Sequence, residues 1–194
     1  MSRILAVFEW ARLCLQAVGR YWSIVNRDFE IRTLRAKDAA AFYRLRSEAL
    51  KLEPRAFGES VSEHRRVSVD MVADRLRGSR NNFVVGAFLK GKLVGTAGFL
   101  RIQSLKRKHK GRIWGVYVAA SARGVGLGRA MLTAVVARAR KLRGLEQIQL
   151  TVGMNQAAAK KLYESLGFRE FGREPAALRV AGEAVDEYYM VLML

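Results

Sequence analysis

Apolar and polar positions follow two different rhythms along this chain. In residues 1–27 the polar residues Glu9, Arg12, Gln16, Arg20, Ser23 and Arg27 recur at spacings of three and four, with Ile4, Leu5, Phe8, Leu15, Val18, Trp22 and Val25 helping to fill the apolar remainder. That period predicts an amphipathic helix, an N-terminal extension to a compact domain spanning residues 28–194. Charges recur too often for a membrane span. Glu9 and Arg12 interrupt any apolar core of a signal peptide. The helix could pack on its own domain or on a second copy in a homodimer, or lie on a membrane surface. The translated start could also be over-extended, the domain beginning near Asp28.

From Phe29 onward the rhythm alternates between strand and helix. Phe29 to Leu34 reads as a short strand. Asp38 can cap a helix running through Phe42, Leu45 and Leu50. Leu52 to Ser60, with Pro54 and Gly58, reads as a loop, and Glu63 to Leu76 as a second, more polar helix. Phe83 to Leu89 and Leu93 to Leu100 form two strands joined at Lys90-Gly91-Lys92. A basic connection from Lys106 to Arg112 leads to the strand Ile113 to Val118. Leu127 to Leu142 is helical, with Arg138, Arg140, Lys141 and Arg143 suited to its negative end and Gly144 as its stop. Gln147 to Val152 is a strand, Asn155 to Leu166 a helix ended by Gly167, and Phe168 to Phe171 the start of another strand. Tyr188 to Leu194 is apolar on both faces and therefore an interior strand. The order is β-α-α-β-β-β-α-β-α-β-β, one mixed α/β (α+β) domain.

One junction in this order carries chemistry. Arg123-Gly124-Val125-Gly126-Leu127-Gly128-Arg129-Ala130 follows the strand ending at Val118 and opens the long helix. Glycines permit a sharp turn and leave amide N–H groups uncovered, and the first helical turn adds unsatisfied donors at the positive end of its dipole. Such a junction suits a phosphate or pyrophosphate.

Charge strengthens this picture. The chain has a formal net charge of +18. Between Arg75 and Leu145 there are 17 Lys and Arg and no Asp or Glu. The positive field therefore surrounds the glycine junction and attracts polyanions: a phosphorylated cofactor, RNA, a ribosomal surface or an anionic membrane. One cysteine, Cys14, rules out an internal disulfide, and His64 and His109 lie far apart, against a zinc site. Cysteine poverty fits a reducing, cytoplasmic setting, with peripheral membrane contact through residues 1–27 as an addition.

The junction fits neither common nucleotide motif. A Walker loop needs Gly-Lys-Ser/Thr, whereas Arg129 and Ala130 follow Gly128 and no hydroxyl awaits magnesium. A dinucleotide fingerprint needs its third glycine one residue later and an acid at the end of the next strand, whereas Glu146 stands at its start.

A second motif lies one strand downstream: Asn155, Ala158, Leu162, Tyr163, Gly167 and Phe168. Alone, Asn155 reads as a helix cap and Tyr163 as a core residue. Together with Arg123, Gly126 and Gly128, which match the pattern Arg/Gln-x-x-Gly-x-Gly/Ala, they resemble the GNAT superfamily of N-acetyltransferases across residues 29–194. The resemblance implies a mostly antiparallel mixed sheet, splayed between its fourth and fifth strands and flanked by helices. It implies acetyl-CoA as co-substrate, its pyrophosphate on the amides of Arg123, Gly124, Val125, Gly126, Leu127, Gly128 and Arg129. Val116 and Val118 would lie beside the pantetheine arm, and Asn155 would contact that arm, cap its helix, or both. The reaction implied is direct attack of a neutral primary amine on the thioester. The N–H of Val118 would stabilise the oxyanion, and Tyr163 would protonate the leaving thiolate.

Many relatives carry a glutamate on the strand before the glycine motif, where this chain has none. Glu48, Glu53, Glu59, Glu63 and His109 are the alternative bases. The acceptor, a small molecule or a protein, is left open, with the Leu52–Ser60 loop and the Val180–Glu187 hairpin expected to select it. A basic RNA- or ribosome-binding module on the same fold, centred on Lys106-Arg107-Lys108-His109-Lys110, is the alternative function.

Overall fold

The computed structural model describes residues 29–194. The predicted N-terminal helix and Cys14 lie outside the described residues. Seven strands form one sheet: β1 (Phe29–Thr33), β2 (Asn82–Leu89), β3 (Lys92–Arg101), β4 (Lys110–Val118), β5 (Gln147–Gly153), β6 (Arg169–Val180) and β7 (Glu183–Met193). Their order across the sheet is β1-β2-β3-β4-β5-β7-β6. Every neighbouring pair is antiparallel except β4 and β5. The apolar strand read at Tyr188–Leu194 is indeed interior: β7 runs between β5 and β6.

Five helices accompany the sheet: α1 (Ala39–Leu52), α2 (Val61–His64), α3 (Val69–Arg77), α4 (Leu127–Ala139) and α5 (Ala157–Glu164). Side chains of α1 and α3 meet the sheet face that carries Val84 and Trp114. On the other face α4 covers Phe83 and Phe99, which stack at 5.0 Å between ring centroids. The apolar period of α4 places Leu127, Met131, Leu132, Val135 and Ala139 against the sheet, all buried. Ile148, Phe168 and Met190 continue this core beneath the second half of the sheet.

The parting of β4 from β5 is the feature that makes a site. The two strands pair only at Lys110–Gln147, Gly111–Ile148 and Arg112–Gln149. Beyond that, β5 stays with β7 as far as the Gly153–Glu187 pair. β4 stays with β3, through a register irregularity between Thr96 and Gly98. Opposite that irregularity Gly115 adopts φ +61°, a left-handed conformation that bends an otherwise extended strand.

Several expected boundaries shift, each for a local reason. The single helix expected over Glu63–Leu76 is two, because Ser60 caps α2 at the Glu63 N–H and Ser68 caps α3 at the Met71 N–H. Asp38 does not cap α1. Its carboxylate accepts from Arg32 at 2.7 and 2.8 Å and from the Arg35 N–H at 2.8 Å, closing a preceding 3-10 turn. β4 begins three residues early, because the basic Lys110–Arg112 stretch supplies the pairing with β5. The helix expected to reach Leu142 ends at Ala139, and Arg138 leaves it to cover the Phe83 ring at 4.0 Å and donate to Thr33 Oγ1 at 2.6 Å. β6 extends far beyond Phe171. It is an exposed edge with little apolar pattern to betray it, and its register with β7 breaks around Pro175 and Ala176.

Two stability measurements follow. Phe99→Ala removes a fully buried ring packed against Phe83 and the Gly111 backbone. It should cost about 3–5 kcal/mol in urea unfolding. Arg32 and the Arg35 N–H hold the Asp38 carboxyl below the usual carboxylate range, against the opposing effect of burial. This contribution is present above the unfolded-state pKa of about 3.9 and is lost as pH falls below it. Asp38→Asn should therefore lower stability at pH 7 by about 1.5–3 kcal/mol and flatten its decline in acid.

Candidate active site

β4 ends at Val118 beside the splay. The next residue, Ala119, donates its N–H to Val94 O on β3 at 2.8 Å. Hydrogen-bonding direction alternates along a strand. The N–H and carbonyl of Val118 therefore face the side that β5 has vacated. Val116, two residues earlier, lines the cleft itself.

The chain then makes a 3-10 turn over Ala120–Ala122 and enters the glycine junction. Gly124 and Gly126 have φ +83° and +84°, and Gly126 holds the cap position of α4. A side chain there would be strained. Gly128 sits against α5: a Cβ on it would lie 3.1 Å from Leu162 Cδ2. Among the described residues, no carbonyl or side chain accepts from the N–H groups of Gly124, Val125, Gly126, Leu127, Gly128 or Arg129. The first N–H of the helix to find a partner is that of Ala130, on Gly126 O at 3.0 Å. Six successive donors thus stand free at the positive end of a helix of 13 residues. Free donors at such a helix end suit an anion such as a pyrophosphate.

The flanking arginines brace the cradle. Arg123 folds back, its Nε donating to Val118 O at 3.0 Å and its Nη2 to Glu53 at 2.9 Å. Arg129 donates to Ser165 Oγ at 2.7 Å. The loop is thereby pinned to β4, to the end of α1 and to the segment following α5.

Between the splayed strands lies a cleft of about 270 Å³. Trp114, Gly115 and Val116 line it from β4, Leu150 to Gly153 from β5, and Ala159 and Tyr163 from α5. Ala56, Phe57 and Gly58 of the α1–α2 connection and Glu187 of β7 complete the rim. The loop and the hairpin expected to select an acceptor thus both reach the cleft, and an Arg55–Glu183 ion pair joins them. Val118 and the glycine junction lie beyond its lining.

Tyr163 is 6% exposed and meets Phe168 edge-on. Its hydroxyl has no hydrogen-bond partner among the described residues. Burial pushes its pKa well above the ordinary tyrosine value. Asn155 does not cap α5. Gln156 takes the cap position without a side-chain hydrogen bond, and it is Gln156 that lines the cleft. Asn155 instead crowds Gly153, where a Cβ would come within 2.8 Å of its Oδ1.

None of the five bases considered from sequence lines the cleft. Glu48 accepts from the Tyr117 hydroxyl at 3.0 Å. Burial and this carboxylate together push Tyr117 up to about 12. Glu53 is held by Arg123. Glu59 takes Arg46 at 3.0 Å and faces His64 Nδ1 at 3.4 Å. Glu63 closes the α2 capping box with Ser60. His109 lies in the connection that enters β4, at the far end of that strand from the glycine junction. The basic run Lys106–Lys110 lies there too.

Two cleft residues escaped the sequence reading. Arg46 lies over the Phe57 ring at 4.3 Å. Its Nη1 is buried with no hydrogen-bond partner, and desolvation lowers its pKa against the opposing pull of Glu59. Its signal was available: a charged residue on the face of α1 shared by Phe42, Leu45 and Ala49. Glu187 is the other. It stands just before the apolar run of β7, and nothing in local spacing connects it with Tyr163.

The sequence profile of the acetyltransferase (GNAT) family matches residues 39–168. Mycothiol acetyltransferase of Salinispora arenicola is 34% identical over 126 residues, covering 61% of this chain and 39% of that protein. Its counterpart from Thermobispora bispora is 48% identical over 58 residues, 30% of this chain and 19% of that protein. The chain thus matches well under half the length of either relative. Among solved structures, a GNAT acetyltransferase of Streptococcus pneumoniae superposes with a TM-score of 0.79 at 24% identity, covering 86% of this chain and all of that one. The structure of yncA from Salmonella typhimurium with its cofactor acetyl-CoA gives 0.74 at 25% identity, covering 87% and 95%. The profile match, the splayed sheet and the glycine junction agree: this chain belongs to the GNAT family of acetyltransferases.

Proposed function

We propose that this protein moves the acetyl group of acetyl-CoA to a primary amine by direct attack in a ternary complex. The observation that carries the reading is the row of six free amide donors from Gly124 to Arg129, set at the end of a strand that has lost its neighbour. The first part suits a pyrophosphate. The second suits the pantetheine arm, whose amides need strand-like partners such as the N–H of Val118, with Val116 beside it in the cleft lining. Asn155 lies near enough to the same opening to support a role beside that arm.

Bound acetyl-CoA supplies an acetyl thioester, an acyl group ready for an amine. The protein's part is positioning and charge. The Val118 N–H faces the gap and donates to the acyl oxygen as negative charge develops there. The phenol of Tyr163 faces the cleft as the proton source for the departing sulfur. Burial raises its pKa further above the thiol value of about 8.5. The phenol therefore stays protonated throughout the physiological range and acts first as a hydrogen-bond donor to the sulfur. Direct attack requires no covalent enzyme intermediate. The binding-module alternative has no comparable support.

Release of free thiol from acetyl-CoA against a panel of amines, ribosomal proteins included, tests the proposal. Tyr163→Phe should lower kcat by about 10²–10⁴-fold while leaving the Kd for acetyl-CoA unchanged, since its hydroxyl holds nothing in the fold. No alkaline limb near pH 8–9 should belong to Tyr163; such a limb, abolished by Tyr163→Phe, would contradict its burial. Gly126→Asp should raise the Kd for acetyl-CoA by about 10–100-fold or more, the loss expected when one charge-assisted hydrogen bond fails. Its circular dichroism spectrum should match that of the unaltered protein. Normal binding by this variant would remove the cradle from the site.

A further inference from the structure

Glu187 is the one acidic side chain lining the cleft among the described residues; the other charged groups there are Arg46 and Arg112. Its carboxylate has no hydrogen bond and no ion pair among the described residues, whereas Glu48, Glu53, Glu59 and Glu63 are all engaged. Its position is set by the sheet: Glu187 pairs with Gly153, the last residue of β5. Directly opposed residues of antiparallel strands project to the same face. Its neighbours there are Gly153, which leaves the carboxylate room on the β5 side, and Glu174 of β6, a like charge that the Tyr189 hydroxyl engages. Tyr163 lines the same cleft from α5.

A cationic protein works against its own acceptor. An amine reaches neutral solution mostly as ammonium, and a chain of net charge +18 repels it. The 71 residues from Arg75 to Leu145, which include β4, carry no acid to offset this. A lone free carboxylate inside the cleft supplies what is missing. We infer that Glu187 is the catalytic residue that receives the acceptor amine, holding its ammonium and taking its proton before attack.

The inference rests on the acetyl-transfer reading and completes its proton balance. The ammonium enters with three N–H bonds. One proton passes to the Glu187 carboxylate and on to solvent through the open mouth of the cleft. The nitrogen lone pair forms the C–N bond as the C–S bond breaks, its electron pair leaving with sulfur. A second proton is lost from nitrogen, and the sulfur gains one by way of Tyr163. The amide keeps the third N–H.

The test is a pair of acceptors of similar size, ethylamine, which is charged at pH 7, and trifluoroethylamine, which is largely neutral. Glu187→Gln preserves the shape of the side chain and should not disturb the fold. It should lower kcat/KM for ethylamine by about 10²–10⁴-fold and leave trifluoroethylamine within a few-fold of the unaltered protein. Calorimetric binding of ethylamine to the protein without acetyl-CoA should weaken in the variant by about tenfold or more, the range of a charge-assisted hydrogen bond. An equal loss with both amines would overturn the proton-taking role, because a packing defect does not sense acceptor charge. No loss with either would remove Glu187 from the reaction. Should the unaltered protein bind acetyl-CoA and use neither amine, the inference also fails. Should it not bind acetyl-CoA, the transfer reading fails first and takes this one with it. Glu187→Asp, which keeps the charge on a shorter arm, should recover part of the ethylamine rate.

Discussion

The structure turns on a pairing that stops early. β4 and β5 are held together at three positions and then part, although each stays paired with its other neighbour. A strand edge without a partner leaves polar backbone groups unsatisfied, which a fold tolerates only where water or a ligand can meet them. Here the cost falls on the Val118 N–H, next to a helix end with six free donors, while Arg123 Nε meets the carbonyl of the same residue. The rest of the core offsets it: α4 clamps β2, β3 and β4 from one side, and β7 binds β5 along its whole length.

Charge is arranged around this opening in two ways. Three cations that approach the core are matched, Arg32 by Asp38, Arg46 by Glu59 and Arg123 by Glu53, whereas Arg138 lies on the Phe83 ring with Thr33 and Ser79 as its partners. The Asp38 carboxylate, buried and three times hydrogen-bonded, adds stability, whereas the more exposed Arg123–Glu53 pair fixes its loop and adds little. The unmatched positive charge is left to backbone amides and surface side chains. Its lone counterweight in the cleft among the described residues is Glu187, so the chain is poor in acid over a long interval and yet keeps one carboxylate on the cleft's rim.

Much of this was legible in the sequence because it is local. Strand and helix periods, the connection at Lys90-Gly91-Lys92 and the glycine junction are set by residues close along the chain. Boundaries failed where a competing local bond won. Ser68 started a second helix inside the stretch read as one, and Arg32 took the carboxylate of Asp38 away from helix capping. The interior place of β7 was readable from its apolar faces, whereas edge strand β6, exposed and interrupted at Pro175, carries no such pattern. Of the site, Tyr163 and the cradle could be named because each sits at a fixed spacing within one element. Arg46 and Glu187 could not, since they are 141 residues apart and meet at the cleft only through sheet topology. The expected bases Glu48, Glu53, Glu59 and Glu63 lie near the site, but proximity along the chain says nothing of which partner each carboxylate will find.

The parted strands also divide the molecule by chain order. Strands β1 to β4 lie within residues 29–118 and strands β5 to β7 within residues 147–193, and only three residue pairs join the two groups within the sheet. Each group can therefore assemble from contacts that are near in sequence, which favours fast formation. Helix α4, lying between them in the chain, packs on β1 to β4. The opening in the sheet is in this sense a seam between two groups of strands, each continuous in sequence, stitched together only where Lys110–Arg112 meets Gln147–Gln149.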